Sequence, residues 1–290
     1  MRTPAPVSAP PDATSHSGFA RGGISAPTFD PDVENSCLWV DLGRRYAYPE
    51  IAPSGRRCYV RANMICSLDG AATRDGRSAG LGARGDHAVF GALRGLCDVV
   101  VVGARTVATE DYGALSANDE FLGWRGRRRQ RSVPAVAVVS ASLDLDPEAR
   151  VFATPMAMVF TSRAAPRARR EQLTAAGVKV ISCGDDDVDM HLAFEFLSGM
   201  GLWRVLVEGG PTLLGNLTDA DLIDELCLTV SPTVLGGRGP RIVSSLGDAA
   251  VGMRPVHVLA DADNYLYTRW VRHPRVAGER PEPVFARSAS

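Results

Sequence analysis

The run Val205-Leu206-Val207-Glu208-Gly209-Gly210-Pro211-Thr212-Leu213-Leu214 sets a carboxylate, two glycines, a proline and a hydroxyl where an apolar stretch gives way to helical spacing. Such a pattern predicts a buried strand turning sharply into a helix. Pro211 suits the first helical turn, because its missing N–H would be unpaired there anyway. Gly209 and Gly210 let a ligand come close to the backbone. The free N–H groups and positive dipole end of the helix then favour a phosphate or diphosphate. An ordinary tight strand-to-helix turn leaves the same trace, so the local pattern alone leaves both readings open.

A second strand end, Val101-Val102-Gly103-Ala104-Arg105-Thr106-Val107, repeats the device. Arg105 and Thr106 offer donors for phosphate oxygens. Two glycine-marked strand ends point to one extended phosphorylated ligand, although neither is a G-x-G-x-x-G. Ser67-Leu68-Asp69-Gly70 puts a carboxylate at a third strand end, where Asp69 either reaches a ligand or makes a turn with its own backbone. The glycine-rich stretch Ala71 to Gly85 is a candidate lid, or else an exposed connection. Ser140-Ala141-Ser142 and Thr161-Ser162-Arg163 bring hydroxyls and a cation to further strand ends, suited to a 2′-phosphate or to plain polar loops. The basic block Arg125 to Arg131 reads as a solvated loop rather than a nucleic-acid site.

Composition narrows the chemistry. The 290 residues are 45% hydrophobic and 22% charged with a net charge of -1, so no global field recruits nucleic acid or an anionic membrane. Lys179 is the sole lysine and sits in a plain Gly-Val-Lys-Val context, which disfavours Schiff-base chemistry and a lysine-ended phosphate loop. Six scattered cysteines without Cys-x-x-Cys argue for a reducing cytoplasm and against disulfides or zinc. The five histidines show no metal spacing, and neither His-x-Glu nor Pro-Cys-x-x-Cys is present for a zinc deaminase. No metal is expected, and no apolar run reaches membrane-spanning length.

Around these residues, apolar runs alternate with helical patterns. Strands are predicted at Tyr59 to Leu68, Asp98 to Val102, Val133 to Ser140, Ala157 to Thr161, Val178 to Ser182, Val205 to Val207, Glu225 to Val230 and Tyr265 to Val271. Helices are predicted at His87 to Leu96, Pro166 to Ala176, Met190 to Ser198 and Leu213 to Leu217. The implied fold is α/β, a mainly parallel sheet with helices on both faces and an antiparallel C-terminal part. Residues 1–33 read as a disordered tail, 34–56 as an arm, 57–272 as the domain and 273–290 as a second tail.

Taken together, five stretches resemble the reductase domain of the riboflavin-biosynthesis deaminase/reductase family, of dihydrofolate-reductase-like fold. They are Arg61-Ala62-Asn63-Met64-Ile65-Cys66-Ser67-Leu68-Asp69-Gly70 with Val102 to Val107, then Val207 to Leu213, then Leu222-Ile223-Asp224-Glu225-Leu226 with Ser231 to Gly237. The resemblance spans about residues 57–272 and lacks the companion deaminase domain. It implies NADPH-dependent reduction of 5-amino-6-(5-phosphoribosylamino)uracil by a homodimer. It implies cofactor contacts at Gly103, Arg105, Thr106, Asp111, Ser140, Gly209, Gly210, Pro211, Thr212, Leu213 and Leu214. Substrate contacts are implied at Asn63, Ser78, Leu115 and Glu208. Asp69 is the expected proton relay and Glu208 the orienting carboxylate.

Two departures bear on substrate. Where family members carry Asp-Asp-Pro-x-Leu-x-x-Arg, this chain reads Glu110-Asp111-Tyr112-Gly113-Ala114-Leu115 and has Asn118 at the arginine position. A second family arginine, on the helix before the Asp98 strand, aligns with His87 or Ala88. Arg74, Arg77, Arg84 or the 125–131 block would have to grip a substrate phosphate; otherwise the substrate is an unphosphorylated pyrimidine or a pterin. A pterin reductase and a nucleotide-binding module without turnover are the alternatives.

Overall fold

A computed structural model describes residues 28–31, 35–50 and 58–273. The elements, in chain order, are α1 (Asn35–Arg45), β1 (Tyr59–Cys66), α2 (Arg84–Leu96), β2 (Val99–Gly103), α3 (Ala104–Thr109), α4 (Asp119–Arg127), β3 (Ala135–Val139), β4 (Ala157–Thr161), α5 (Arg167–Ala175), β5 (Lys179–Ser182), α6 (Met190–Gly199), β6 (Arg204–Val207), α7 (Pro211–Asp219), β7 (Glu225–Val230), β8 (Met253–Ala260) and β9 (Leu266–Arg272). A short 3₁₀ turn covers Arg150–Ala153.

The nine strands form one sheet in the order β5-β4-β3-β2-β6-β1-β7-β9-β8. Pairing is parallel from β5 through β7 and antiparallel for β7–β9 and β8–β9. Alternation along the central strands builds two cores, because successive side chains point to opposite faces. Val100, Val102, Val136 and Val138 join Leu42, Val89, Leu93 and Phe121 on one face. Val99, Val101, Val205 and Val207 join Phe194, Leu197, Leu213 and Leu217 on the other. The fold class and every strand read from the sequence are thus present, within two residues at each end.

Three elements escaped the sequence reading. α1 occupies much of the supposed arm, and Leu42, Tyr46 and Tyr48 are buried. β8 carries Pro255 beside a register shift and forms its ladder with β9 alone, apart from a single bridge to Thr28, so it lacks the apolar run of a central strand. α4 has little apolar periodicity: Phe121 and Arg125 are its buried residues. Arg125 also corrects the view of the basic block as a solvated loop. Its side chain donates to the Gly95 and Cys97 carbonyls at 3.0 and 2.7 Å and to Arg131 O at 2.5 Å. In the supposed N-terminal tail, Phe29 is buried, edge-on to Tyr267, and its N–H donates to Ala260 O at 2.7 Å. The tail and arm expected at residues 1–27, 32–34, 51–57 and 274–290 lie outside the described residues.

Chain order reverses around β6, which inserts between β2 and β1. In such a sheet the carboxyl ends of adjacent strands open a crevice. Here those ends are Cys66, Gly103 and Val207.

Candidate active site

A cavity of about 440 Å³ opens at this crevice, lined by residues of β1, the loop after it, α2, α3, α7 and the turn after β6. The turn is built as the spacing predicts. The Gly103 N–H donates to Gly209 O at 2.8 Å and the Glu208 N–H to Val101 O at 3.0 Å, tying the ends of β2 and β6 together. Gly209 has φ +80°, the left-handed region that favours glycine, and the Gly209–Gly210 peptide is cis. A Cβ on Gly210 would lie 2.7 Å from Thr106 Oγ1, so a larger residue here would displace the Thr106 hydroxyl or the turn. Pro211 opens α7, whose nine residues present their first-turn N–H groups here. Gly103, Arg105, Thr106, Gly210, Pro211, Thr212 and Leu213 all line the cavity.

The wall supplied by β1, α2, the 73–78 loop and the end of α3 is more acidic. Asn63, Ser78, Asp86, Phe90, Glu110 and Glu208 line it. The Glu208 side chain is 3% exposed and accepts from Arg94 Nε and Nη2, each at 2.7 Å. The Tyr112 hydroxyl donates to the same carboxylate, and Arg94 Nη2 lies 2.6 Å from the Tyr112 oxygen. Burial, then the Glu208 charge, push the Tyr112 phenol well above its ordinary range. Burial opposes the Arg94 charge, but Glu208 and Tyr112 outweigh it and raise the guanidinium. Arg94 also stands 4.1 Å from the Phe90 ring centroid. At Ser78, the N–H and the hydroxyl both donate to Glu110 Oε1, at 2.8 and 3.0 Å. Burial pushes the Asp86 carboxyl up, while Thr229 hydrogen-bonding and the charge of His87 pull it back.

Several expected site residues lie off this cavity. Asp69 accepts from Ser67 Oγ (2.5 Å) and the Leu235 and Gly236 N–H groups (3.1 and 2.7 Å), which lower its carboxyl to about 2. Its carboxylate closes a turn onto the 231–237 loop. Asp111 is exposed and paired to Arg150 at 2.8 Å. Leu115 and Leu214 are core residues, 5% and 1% exposed. Ser140 is buried, its hydroxyl accepting the Leu143 N–H at 3.0 Å. Gly209 shapes the turn, where its Cβ would meet Met64 Sδ at 3.1 Å. From α2, the arginine that reaches Glu208 is Arg94. Asp86, Phe90 and Arg94 recur every fourth residue, a helical stripe that marks the cavity-facing side of α2. Among the described residues no group of three or more His, Cys, Asp or Glu could hold a metal. No described helix is long and apolar enough to cross a membrane.

A glycine-cradled crevice at the reversal of a mainly parallel sheet, walled by carboxylates and one aromatic ring, defines an α/β enzyme of the pyrimidine-reductase type. The chain belongs to the RibD C-terminal domain family, whose model matches residues 58–267. A relative from Archaeoglobus fulgidus, the 2,5-diamino-6-ribosylamino-4(3H)-pyrimidinone 5′-phosphate reductase, is 30% identical over 185 residues, 63% of this chain and 84% of that protein. Riboflavin biosynthesis protein RibD of Bacillus amyloliquefaciens is 25% identical over 193 residues, 65% of this chain and 50% of that protein. A pyrimidine reductase-like protein of Corynebacterium diphtheriae shares the fold at TM-score 0.71 and 23% identity, over 81% of this chain and 99% of that one.

Proposed function

We propose that the chain is an NADPH-dependent reductase of a 6-ribosylaminopyrimidine, acting at the sugar carbon joined to the exocyclic nitrogen. One observation carries this reading: the glycine cradle and the carboxylate wall open into the same cavity. At Gly210 a Cβ would lie 2.7 Å from Thr106 Oγ1; Gly103 lies beside it at the end of β2, and Arg105 adds a cation. These residues and the first turn of α7 fit the diphosphate of a nicotinamide coenzyme. When bound, that coenzyme supplies a hydride.

The chain's own groups orient the acceptor and supply the proton. Asn63 and Glu110 offer polar contacts for the pyrimidine edge. Glu208, already accepting three donors, is the orienting carboxylate. Asp86, raised by burial, replaces Asp69 as the wall carboxyl suited to hold a proton for the substrate nitrogen. Holding both reactants in one cavity accounts for much of the acceleration, on the order of 7–11 kcal/mol in ideal cases.

The test is coenzyme binding by calorimetry, then absorbance-monitored coenzyme oxidation with ribosylaminopyrimidines and dihydrofolate side by side. Oxidation with a ribosylaminopyrimidine alone supports the reading. Oxidation with dihydrofolate alone replaces it with a pterin reductase. Binding without any turnover leaves a nucleotide-binding module. A homodimer is proposed with it on the family resemblance, and β8, the outer strand with Val256 and Val258 exposed, offers a surface for it. Sedimentation as a monomer at micromolar concentration would remove that part.

A further inference from the structure

Tyr112 reaches Glu208 through the way α3 ends. Asp111 has φ +48°, in the left-handed region, and the Tyr112 N–H donates back to Val107 O at 3.1 Å. A bond of this span past a left-handed residue is a Schellman closure, which folds the chain back and packs its outer residue on the last turn. Tyr112 accordingly packs against the core cluster that holds Val107. From there its hydroxyl donates to Glu208 Oε2, 96 residues further along the chain.

A carboxylate has about four acceptor positions, two on each oxygen. Glu208 Oε1 takes Arg94 Nε, while Oε2 takes Arg94 Nη2 and the Tyr112 hydroxyl. Among the described residues this leaves the open position on Oε1, and Glu208 lines the cavity. Arg94 alone would leave both oxygens open. The phenol is itself held, because it accepts from Arg94 Nη2 at 2.6 Å while donating to Oε2. The closed network locks the Glu208 side chain before a ligand arrives, so binding does not carry that ordering cost.

We propose that Tyr112 is a positioning residue for the substrate: it holds the Glu208 carboxylate in one orientation and confines its open acceptor to Oε1, which receives one N–H of the pyrimidine edge. That role rests on the pyrimidine-reductase reading above and deepens it. Tyr112 is not among the lining residues, so it acts through Glu208 and not by touching the substrate.

The experiment is steady-state kinetics of the wild type, Tyr112→Phe, Glu208→Gln and the double variant at saturating coenzyme. The acceptors are 5-amino-6-(5-phosphoribosylamino)uracil and 2,5-diamino-6-ribosylamino-4(3H)-pyrimidinone 5′-phosphate. Tyr112→Phe keeps the ring, whose centroid lies 5.1 Å from Arg94 Cζ, and removes only the donor. It is expected to raise KM about tenfold, as for a lost bond to a charged group, with kcat within about twofold. Calorimetry should show coenzyme affinity unchanged. The double variant should lose no more than Glu208→Gln alone, since both changes remove one interaction. An unchanged KM in Tyr112→Phe, or losses that multiply in the double variant, would overturn the proposal. So would a fall in kcat and melting temperature at constant KM, which is the mark of a structural role alone. Each of these leaves the functional reading standing. A wild type that binds coenzyme but reduces neither pyrimidine overturns that reading, and this proposal with it.

Discussion

Glu208, at the end of β6, and Arg94, in the last turn of α2, form a two-pronged ion pair across 114 residues of sequence, with both N···O distances at 2.7 Å. The pair pins the helix that carries Asp86 and Phe90 to the strand that leads into the glycine turn. Both walls of the cavity therefore share one mechanical support.

Breaking that pair from one side leaves a charge buried without its partner. Arg94→Ala is expected to cost about 3–5 kcal/mol, as for other buried pairs. Arg94 is 27% exposed, which favours the lower end of that range. Pairing Arg94→Met with Glu208→Gln removes both charges and should recover part of the loss. Urea denaturation of the single and double variants measures the coupling; equal stability of the two would show that the pair carries no support.

Gly210→Ala should weaken coenzyme binding, because the added methyl meets Thr106 Oγ1 at 2.7 Å. Overpacking of this kind costs about 1–3 kcal/mol of stability, and a turn displaced to absorb it should hold the coenzyme less tightly. Adding Thr106→Ala clears the hydroxyl and should recover part of the stability lost to the clash. Thermal melts and calorimetric titration, run on the single and double variants, separate packing from binding.

Arg125 tests the view of the basic block as structure. Its guanidinium satisfies the carbonyls of Gly95, Cys97 and Arg131 from a fully buried position. Arg125→Met should lose about 2–4 kcal/mol, since buried acceptors left unpaired cost about 1–3 kcal/mol each and part of that cost is relieved by relaxation. Arg127→Met and Arg129→Met should stay within about 0.5 kcal/mol, as surface changes do. Similar losses at all three positions would contradict the assignment.

His257 predicts the pH dependence of stability. Burial, reinforced by Arg269 and Arg45 and opposed by Glu225 and Asp41, lowers its imidazole from 6.5 to about 4. The unfolded chain then binds more protons than the folded one between these values, so stability falls as pH drops from 6.5 to 4. The contribution is on the order of 1–2 kcal/mol after solvent screening. His257→Phe keeps the edge-on contact to the Tyr46 ring and should flatten the melting-temperature profile in that window. An unchanged slope would assign the acid sensitivity to another group.

The periodicity of the chain alone determined the parallel sheet, its antiparallel end and the glycine turn at 209–210. Buried central strands must be continuously apolar, and a helix start with Gly-Gly-Pro admits few geometries. The same logic placed Glu208, Gly103, Thr106 and Gly210 at one crevice, and the cavity lining joins them. Asp69 shows where that logic stops. A carboxylate at a strand end faces either a ligand or its own loop, and the N–H groups of Leu235 and Gly236, more than 160 residues away in sequence, decided for the loop. Arg94, Tyr112 and Glu110 acquired their places in the same way. Each is an unremarkable polar residue in the chain, and long-range packing brings each against one particular donor or carboxylate. Local pattern reports which face of an element is buried, whereas the partner of a buried charge depends on which distant element packs beside it. That part only the tertiary structure decided.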